Sequence, residues 1–247
     1  MTTQAEARCW AVLPAAGIGS RMGAELPKQY MAVAGATLLE HSLRALLSCE
    51  QISGVIVALH ADDARAAKMP IFQDPRIQTV SGAEQRNGSV LAGLDALISQ
   101  AALRDWVLVH DAARPCLQAH EIMRLIATVT ANETGGILAE KMVDTVKQAS
   151  ADARVLRTLD RATLWRAQTP QMFRLDELRK ALQQAQAQGL AVTDEASAME
   201  MAGYPVQLVA GSAGNLKVTV PADLPLAAWY LRNQNGVLRR DSSNGGW

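Results

Sequence analysis

Between Val12 and Tyr30 the chain reads VLPAAGIGSRMGAELPKQY. A short apolar run ends at Val12 and Leu13, and Pro14 stops it. Ala15, Ala16, Gly17, Ile18 and Gly19 follow as small or flexible residues, and then come Arg21 and Lys28. A strand that runs into a glycine turn is a common phosphate cradle. Glycine reaches backbone angles closed to other residues and lets the main chain approach a ligand. Backbone N–H groups left free in such a turn favour anions, and the two cations point the same way. The competing reading is an ordinary tight turn. The spacing is not a P-loop, because no Gly-Lys-Ser/Thr follows. Nor is it the dinucleotide fingerprint, since Met22 stands where the third glycine or alanine belongs.

Asp111 directly follows the apolar run WVLV and His110. A carboxylate at the carboxyl end of a strand, near a phosphate loop, suits a Mg²⁺ ligand; otherwise it caps the next turn. Arg114 offers a planar fork for phosphate, or is a surface arginine. His110 falls on the face opposite Asp111 and reads as structural. His41, His60 and His120 have no metal-like spacing. Arg157, Arg161 and Arg166 read as a solvated face. Lys217, between Leu216 and Val218, must snorkel or find an anion. Ser89 stands at a helix start, first as a cap and second as a ligand contact.

The elements that must hold these residues follow from the apolar pattern. Trp10–Leu13, VIVAL after Gly54, Ile77–Val80, Trp106–His110 and GGILAEK read as strands. Between them lie a helix LLEHSLRALL with a Thr37/Glu40 capping box, a short helical piece DDARAAK, a helix SVLAGLDALISQAAL and a helix over 119–130. This alternation predicts a doubly wound α/β fold with a mostly parallel sheet. Ligands in such folds bind beyond the carboxyl ends of the strands. That edge would collect the Gly17 turn, the Gly82 loop and Asp111. VDTVKQ and RVLRTLDR alternate around a turn and predict a projecting two-stranded arm over about 143–161, packed on a second subunit. LWRAQTPQMF returns to the core. A helix LDELRKALQQAQAQ closes at Gly189, Thr193 caps a helix DEASAMEM, PVQLV and NLKVTV read as short strands, and Pro221 opens the last helix as its first residue. No linker divides the chain. Residues 1–232 read as one domain including the arm, and 233–247 as a disordered tail.

The 247 residues are 49% hydrophobic and 19% charged, which fits a globular protein with a sizeable core. Lys+Arg and Asp+Glu both number 24. Zero net charge argues against nucleic acid as partner. Cys9, Cys49 and Cys116 lack CxxC spacing, so no zinc site or disulfide framework is expected. No signal peptide or membrane span is read, and the expected location is the cytoplasm.

The combination PAAGIGSRMG, PKQY, GAEQRNGSVLAGL, HDAARP, LDR, TPQMF, TDEAS and NLKVT resembles the 2-C-methyl-D-erythritol 4-phosphate cytidylyltransferases, in order from residue 14 to residue 219. The resemblance implies a Rossmann-like nucleotidyltransferase fold. It also implies transfer of a cytidylyl group from CTP to the polyol phosphate, giving 4-diphosphocytidyl-2-C-methyl-D-erythritol and pyrophosphate, by in-line attack on the α-phosphorus. By match to these motifs, Arg21 and Lys28 would be catalytic. Ala15, Ala16, Gly17, Gly82, Ala83, Ser89 and Lys217 would bind nucleotide. Asp111, Arg114, Thr145, Arg161 and Thr169 would serve the acceptor, the last three from the arm region of the neighbouring subunit in a homodimer. Asp111 would also hold Mg²⁺ or another divalent cation.

Two departures stand out. The family's cytosine loop usually has a glycine pair where this chain has Gly82 and Ala83, so Ala83 is strained if that position needs a positive φ. Gly214 stands where an acidic residue is frequent. The alternatives are ribitol-5-phosphate cytidylyltransferase and a nucleotide-binding regulator without catalysis; a dehydrogenase fits less well, because the glycine fingerprint is incomplete.

Overall fold

The structure, a computed structural model, describes residues 7–17 and 26–237. Its centre is β1 (Cys9–Ala15), flanked by β4 (Ile52–Leu59) and β6 (Trp106–Val109). β5 (Ile77–Ser81) lies outside β4. β10 (Trp165–Arg174), β7 (Gly136–Lys141) and β11 (Gln207–Ala210) continue the sheet beyond β6, giving the order β11-β7-β10-β6-β1-β4-β5. Only β10 runs antiparallel to its neighbours, so the sheet is mostly parallel, as expected.

The period-2 alternation of a strand explains why both faces are covered. On β1, Cys9, Ala11, Leu13 and Ala15 enter one apolar cluster, while Trp10 and Val12 enter another. The first is closed by α1 (Leu38–Leu47) and α3 (Ala119–Asn132) through Leu39, Leu43, Leu46, Ile122 and Leu125. The second is closed by α2 (Arg86–Leu97), α4 (Leu175–Ala187) and α5 (Glu195–Met201) through Val90, Leu94, Leu178, Leu182 and Met199. α1 starts at the expected capping box, in which the Thr37 hydroxyl accepts from Glu40 N–H and Glu40 returns the bond. Just before it, β2 (Ala32–Val33) and β3 (Ala36–Thr37) form a small hairpin whose turn needs positive φ at Ala34 and Gly35.

Several expectations are corrected. Pro14 does not stop β1, which runs to Ala15. The Val12 carbonyl accepts from His110 N–H, so residues of that parity face β6. β6 pairs with β1 only as far as Val12, and the N–H that Pro14 lacks has no ladder to join. DDARAAK forms only a 3₁₀ turn, Ala66–Lys68. Asp194, not Thr193, caps α5, accepting from Ser197 N–H. NLKVTV is not a strand; its tie to the fold includes a Val218 N–H bond to the Ala113 carbonyl. Pro221 opens a 3₁₀ turn, Pro221–Asp223, and α6 (Leu224–Val237) follows. Residues 233–237, expected to begin a tail, are therefore helical, and 238–247 lie outside the described residues.

The arm exists as expected. β8 (Val146–Ala149) and β9 (Val155–Leu159) pair antiparallel in a sheet of their own. Arg166, grouped with the arm in the sequence, belongs instead to β10 and pairs with Glu140 of β7. Among the described residues, no helix is long and apolar enough to cross a membrane.

Helix α2 lies on β1 at Gly93, where an added Cβ would stand 2.6 Å from Val12 Cγ1. Alanine at this position gains about 1 kcal/mol of helix propensity. Overpacking against a β-branched residue in the central strand costs about 1–3 kcal/mol, so packing wins. Gly93→Ala should lower the melting temperature by a few degrees; an unchanged or raised value would show that α2 slides freely over β1.

Candidate functional site

The carboxyl ends of β1, β5 and β6 bring the site together. After β1, Ala15 and Ala16 are buried and Gly17 is exposed; among the described residues, nothing lies within 4 Å of the place a Cβ on Gly17 would occupy. Gly17 has no positive φ, so no special turn angle requires glycine there. Ile18, Gly19 and Arg21 lie outside the described residues. The PKQ segment is anchored next to this turn, because the Gln29 side-chain amide donates to the Ala15 carbonyl at 2.7 Å. Lys28, the residue before, is half-buried and its charge acts on Asp223.

The loop after β5 closes onto the same turn. A Cβ on Gly82 would sit 2.6 Å from the Ala16 Cβ and 2.9 Å from Ser89 Oγ. Only glycine permits that approach. Ser89 is 2% exposed. Its hydroxyl accepts from Ala83 N–H at 3.0 Å and faces the Ala83 carbonyl at 3.0 Å. Ser89 is thus not a helix cap, since α2 begins at Arg86 after Gln85; it shapes the loop ahead of the helix. Ala83 has no positive φ, so the strain considered for it is not present.

Asp111, just past β6, is the hub. Arg86 Nε reaches Oδ1 at 2.9 Å and Lys217 Nζ reaches Oδ2 at 2.7 Å. Burial alone pushes the Asp111 carboxyl up, but Arg86 and Lys217 overcome it and hold the group well below the usual carboxylate range. Lys217 has found the anion its apolar setting called for. Arg86 also grips the fully buried Glu195 through both terminal nitrogens, at 2.6 and 3.1 Å. Arg114 donates to the Asn215 carbonyl at 2.7 Å and ties the Asp111 loop to the segment carrying Lys217. Among the described residues, no group of three acidic, histidine or cysteine side chains could hold a metal by itself.

Thr169 is not an arm residue. It lies in β10, almost fully buried, and its Oγ1 accepts Asp111 N–H at 3.0 Å in the same chain. The bonding fixes its proton. His110 Nε2 faces the Arg114 carbonyl at 3.2 Å, which only accepts, so Nε2 carries the hydrogen. His110 Nδ1 must then accept from Thr169 Oγ1 at 2.9 Å. With its proton given to His110, the Thr169 hydroxyl aligns the Asp111 loop. Thr145 and Arg161 do belong to the arm's base: both are exposed, and Arg161 donates to the Val143 carbonyl.

Sequence reasoning passed over Arg86, Glu195 and Asn215. Arg86 and Glu195 stand inside the quoted GAEQRNGSVLAGL and TDEAS stretches, and charge at those positions was the available signal. Asn215, fully buried, donates to the Thr169 carbonyl at 2.8 Å.

A mostly parallel α/β sheet whose carboxyl edge gathers a glycine turn, a buried carboxylate and fixed cations defines a nucleotidyltransferase-like protein. The family model for 2-C-methyl-D-erythritol 4-phosphate cytidylyltransferase matches residues 9–233, and the chain belongs to that family. It is 52% identical to the 2-C-methyl-D-erythritol 4-phosphate cytidylyltransferase of Mannheimia succiniciproducens over 90% of this chain and 95% of that one. The enzyme of the same name from Yersinia pseudotuberculosis is 49% identical over 94% and 95% of the two chains. The crystal structure of the Francisella tularensis enzyme superimposes with a TM-score of 0.76 at 35% identity, covering 90% of this chain and 99% of that one.

Burial pushes the His110 imidazole down from 6.5 to about 4, against the opposing pull of Asp111. Between those values the unfolded chain binds a proton that the folded chain does not. The stability His110 contributes is therefore full above pH 6.5 and is lost as pH falls toward 4. The separation is worth on the order of 3 kcal/mol. Urea unfolding at pH 7 and pH 4.5 should show this loss, and His110→Asn should flatten it; an unchanged slope in the variant would assign the loss to other groups.

Proposed function

We propose that this protein transfers the cytidylyl group of CTP to 2-C-methyl-D-erythritol 4-phosphate, forming 4-diphosphocytidyl-2-C-methyl-D-erythritol and pyrophosphate. A phosphate oxygen of the acceptor attacks the α-phosphorus in line, and the bond to the bridging oxygen of pyrophosphate breaks, pyrophosphate leaving with the electron pair. The attacking phosphate is already anionic near neutral pH, so no general base is required. The reading is carried by the reach of the family match, from residue 9 to residue 233, which takes in every segment that converges on Asp111.

In this reading Arg21 and Lys28 stabilise the charge that builds on the α-phosphoryl oxygens. Main-chain groups of Ala15, Ala16 and Gly17 line the nucleotide, and the Gly82–Ala83 loop shaped by Ser89 faces the cytosine. Lys217 and Arg114 add positive charge beside Asp111. Asp111 also suits a divalent cation. A carboxylate has about four acceptor positions, and Arg86 and Lys217 occupy two. Mg²⁺ commonly takes one carboxylate and completes its shell with substrate phosphates and water. When bound there it would neutralise the triphosphate and polarise the α-phosphorus.

The acceptor site is completed by a second copy of the chain. The arm leaves Val143 73% exposed and carries Val155 and Leu156 on its surface, and an isolated hairpin is marginal in water. A two-fold dimer that buries the arm brings Thr145 and Arg161 to the partner's acceptor. Cys9, Cys49 and Cys116 are free thiols, which suits the cytoplasm.

Pyrophosphate release from CTP with methylerythritol phosphate tests the reading directly; release only with ribitol 5-phosphate would replace the acceptor, and none with either would end it. Arg21→Ala and Lys28→Ala should each lower kcat by about 100-fold, the scale of losing one preorganised donor. Near-normal kcat with only a raised KM for CTP would remove both from the transition state.

Arm exchange has its own test. An inactive Arg161→Ala chain mixed with an inactive Lys28→Ala chain should regain about a quarter of the wild-type rate, because half of randomly mixed dimers carry one intact site. Verified subunit exchange without recovery would confine Arg161 to its own chain.

A further inference from the structure

We infer that Arg86 and Glu195 are positioning residues for Asp111: Glu195 fixes the guanidinium plane of Arg86, and Arg86 fixes the direction of the Asp111 carboxylate. The inference rests on the transfer reading and deepens it.

The geometry separates two kinds of contact on Asp111. Lys217 is 40% exposed and ends in an ammonium on a flexible stem; it supplies charge with little directional demand. Arg86 is constrained. Its Nη1 and Nη2 both bond Glu195, at 2.6 and 3.1 Å, and a guanidinium held at both terminal nitrogens presents Nε along one line. On that line lies Asp111 Oδ1 at 2.9 Å.

The backbone that carries Glu195 is itself anchored. It opens α5, whose N-terminus is fixed by Asp194 accepting from Ser197 N–H. Gln171 of β10 adds two bonds, one to Asp194 at 2.9 Å and one from Ala196 N–H at 2.8 Å. Arg86 is also the first residue of α2, directly after the Gly82 loop. The chain of contacts therefore ties α5, the loop after β5 and the carboxylate after β6 into one unit. A buried ion pair gives little stability over apolar residues of the same shape. What this pair supplies is orientation.

The test compares Glu195→Gln, Arg86→Lys and the double variant by steady-state pyrophosphate release, with CTP affinity from calorimetry and melting temperature measured alongside. Glutamine keeps the shape but turns an N–H toward the guanidinium. Each single variant should lose about tenfold or more in kcat, as misplacement of a reacting group does, with CTP affinity within about twofold of wild type. The double variant should be no slower than the worse single one, because Glu195 acts through Arg86. A lowered melting temperature with wild-type kcat would make the pair a structural staple and overturn the inference. Losses that multiply would overturn the order of action. If Glu195→Gln does not fold, Arg86→Lys carries the test on the same kcat criterion. Wild-type enzyme without pyrophosphate release would sink the transfer reading instead, a result distinguishable from active wild type with unimpaired variants.

Discussion

The Asp111 carboxylate is held between Arg86 and Lys217, and the functional edge of the molecule depends on that contact. Taking a carboxylate out of water is costly, and two well-placed cations are what make it tolerable here. Removing Arg86 would leave the buried Glu195 without its partner, at a cost of about 3–5 kcal/mol, whereas Asp111 would keep Lys217. The two cations reach Asp111 from opposite parts of the sequence. The fold must therefore close completely before the hub exists: β5 must be paired and α2 seated to present Arg86, and the segment around Asn215 must dock to present Lys217. Arg114 and Asn215 secure that docking, through one bond to the Asn215 carbonyl and one from the Asn215 amide to β10.

β10 is the device that makes the hub precise. It is the one antiparallel strand of the seven-stranded sheet, and its register against β7 slips between Ala167 and Gln171. Bulges of this kind sit where a strand must aim a side chain. Here the irregular stretch contains Gln168 and Thr169, and it lies beside the end of β6, where Gln171 pairs with Val109. Thr169 is thereby turned toward Asp111 N–H and His110, and regular pairing resumes toward the core.

What could be read from the sequence divides along the same physical lines. The sheet and its helices were legible because apolar spacing is a local property: the runs at 10–13, 55–59 and 106–110 are recognisable without knowing their partners, though some of their ends shift by one to three residues in the structure. Asp111 was legible because a carboxylate after a fully apolar strand has few explanations, and Lys217 because its neighbours are apolar. Arg86 and Glu195 were not. An arginine at a helix start reads as surface, and a glutamate in a first turn is accounted for by the helix dipole; their meaning lies in each other. Thr169 was placed with the arm only by the family resemblance; the apolar pattern already returned LWRAQTPQMF to the core, where the structure has it, but could not show the register slip that turns Thr169 toward Asp111. NLKVTV has strand-like composition, yet no sheet edge is offered to it, and tertiary context overrides propensity.

The position of the arm follows from the same topology. β7 is parallel to β11 and runs in the direction of β1 and β6, so its last residue, Lys141, lies on the edge that carries Asp111. β10 returns from that edge antiparallel to β7, pairing Trp165 with Lys141. The arm is therefore a long insertion in the β7–β10 hairpin, emerging where the strands end. Its root is braced by the Lys141 ammonium 5.2 Å from the Trp165 ring centre and by the Arg166–Glu140 pair. An arm rooted on the opposite edge could not serve a neighbour's site without crossing the whole sheet. Rooted here, it leaves its own chain at the level of the reaction, and the two-fold axis of the proposed dimer needs only to exchange the arms for each to reach the other's acceptor. One antiparallel strand in a parallel sheet thus does two things: it aims Thr169 inward at the hub and roots the outward arm on the same edge.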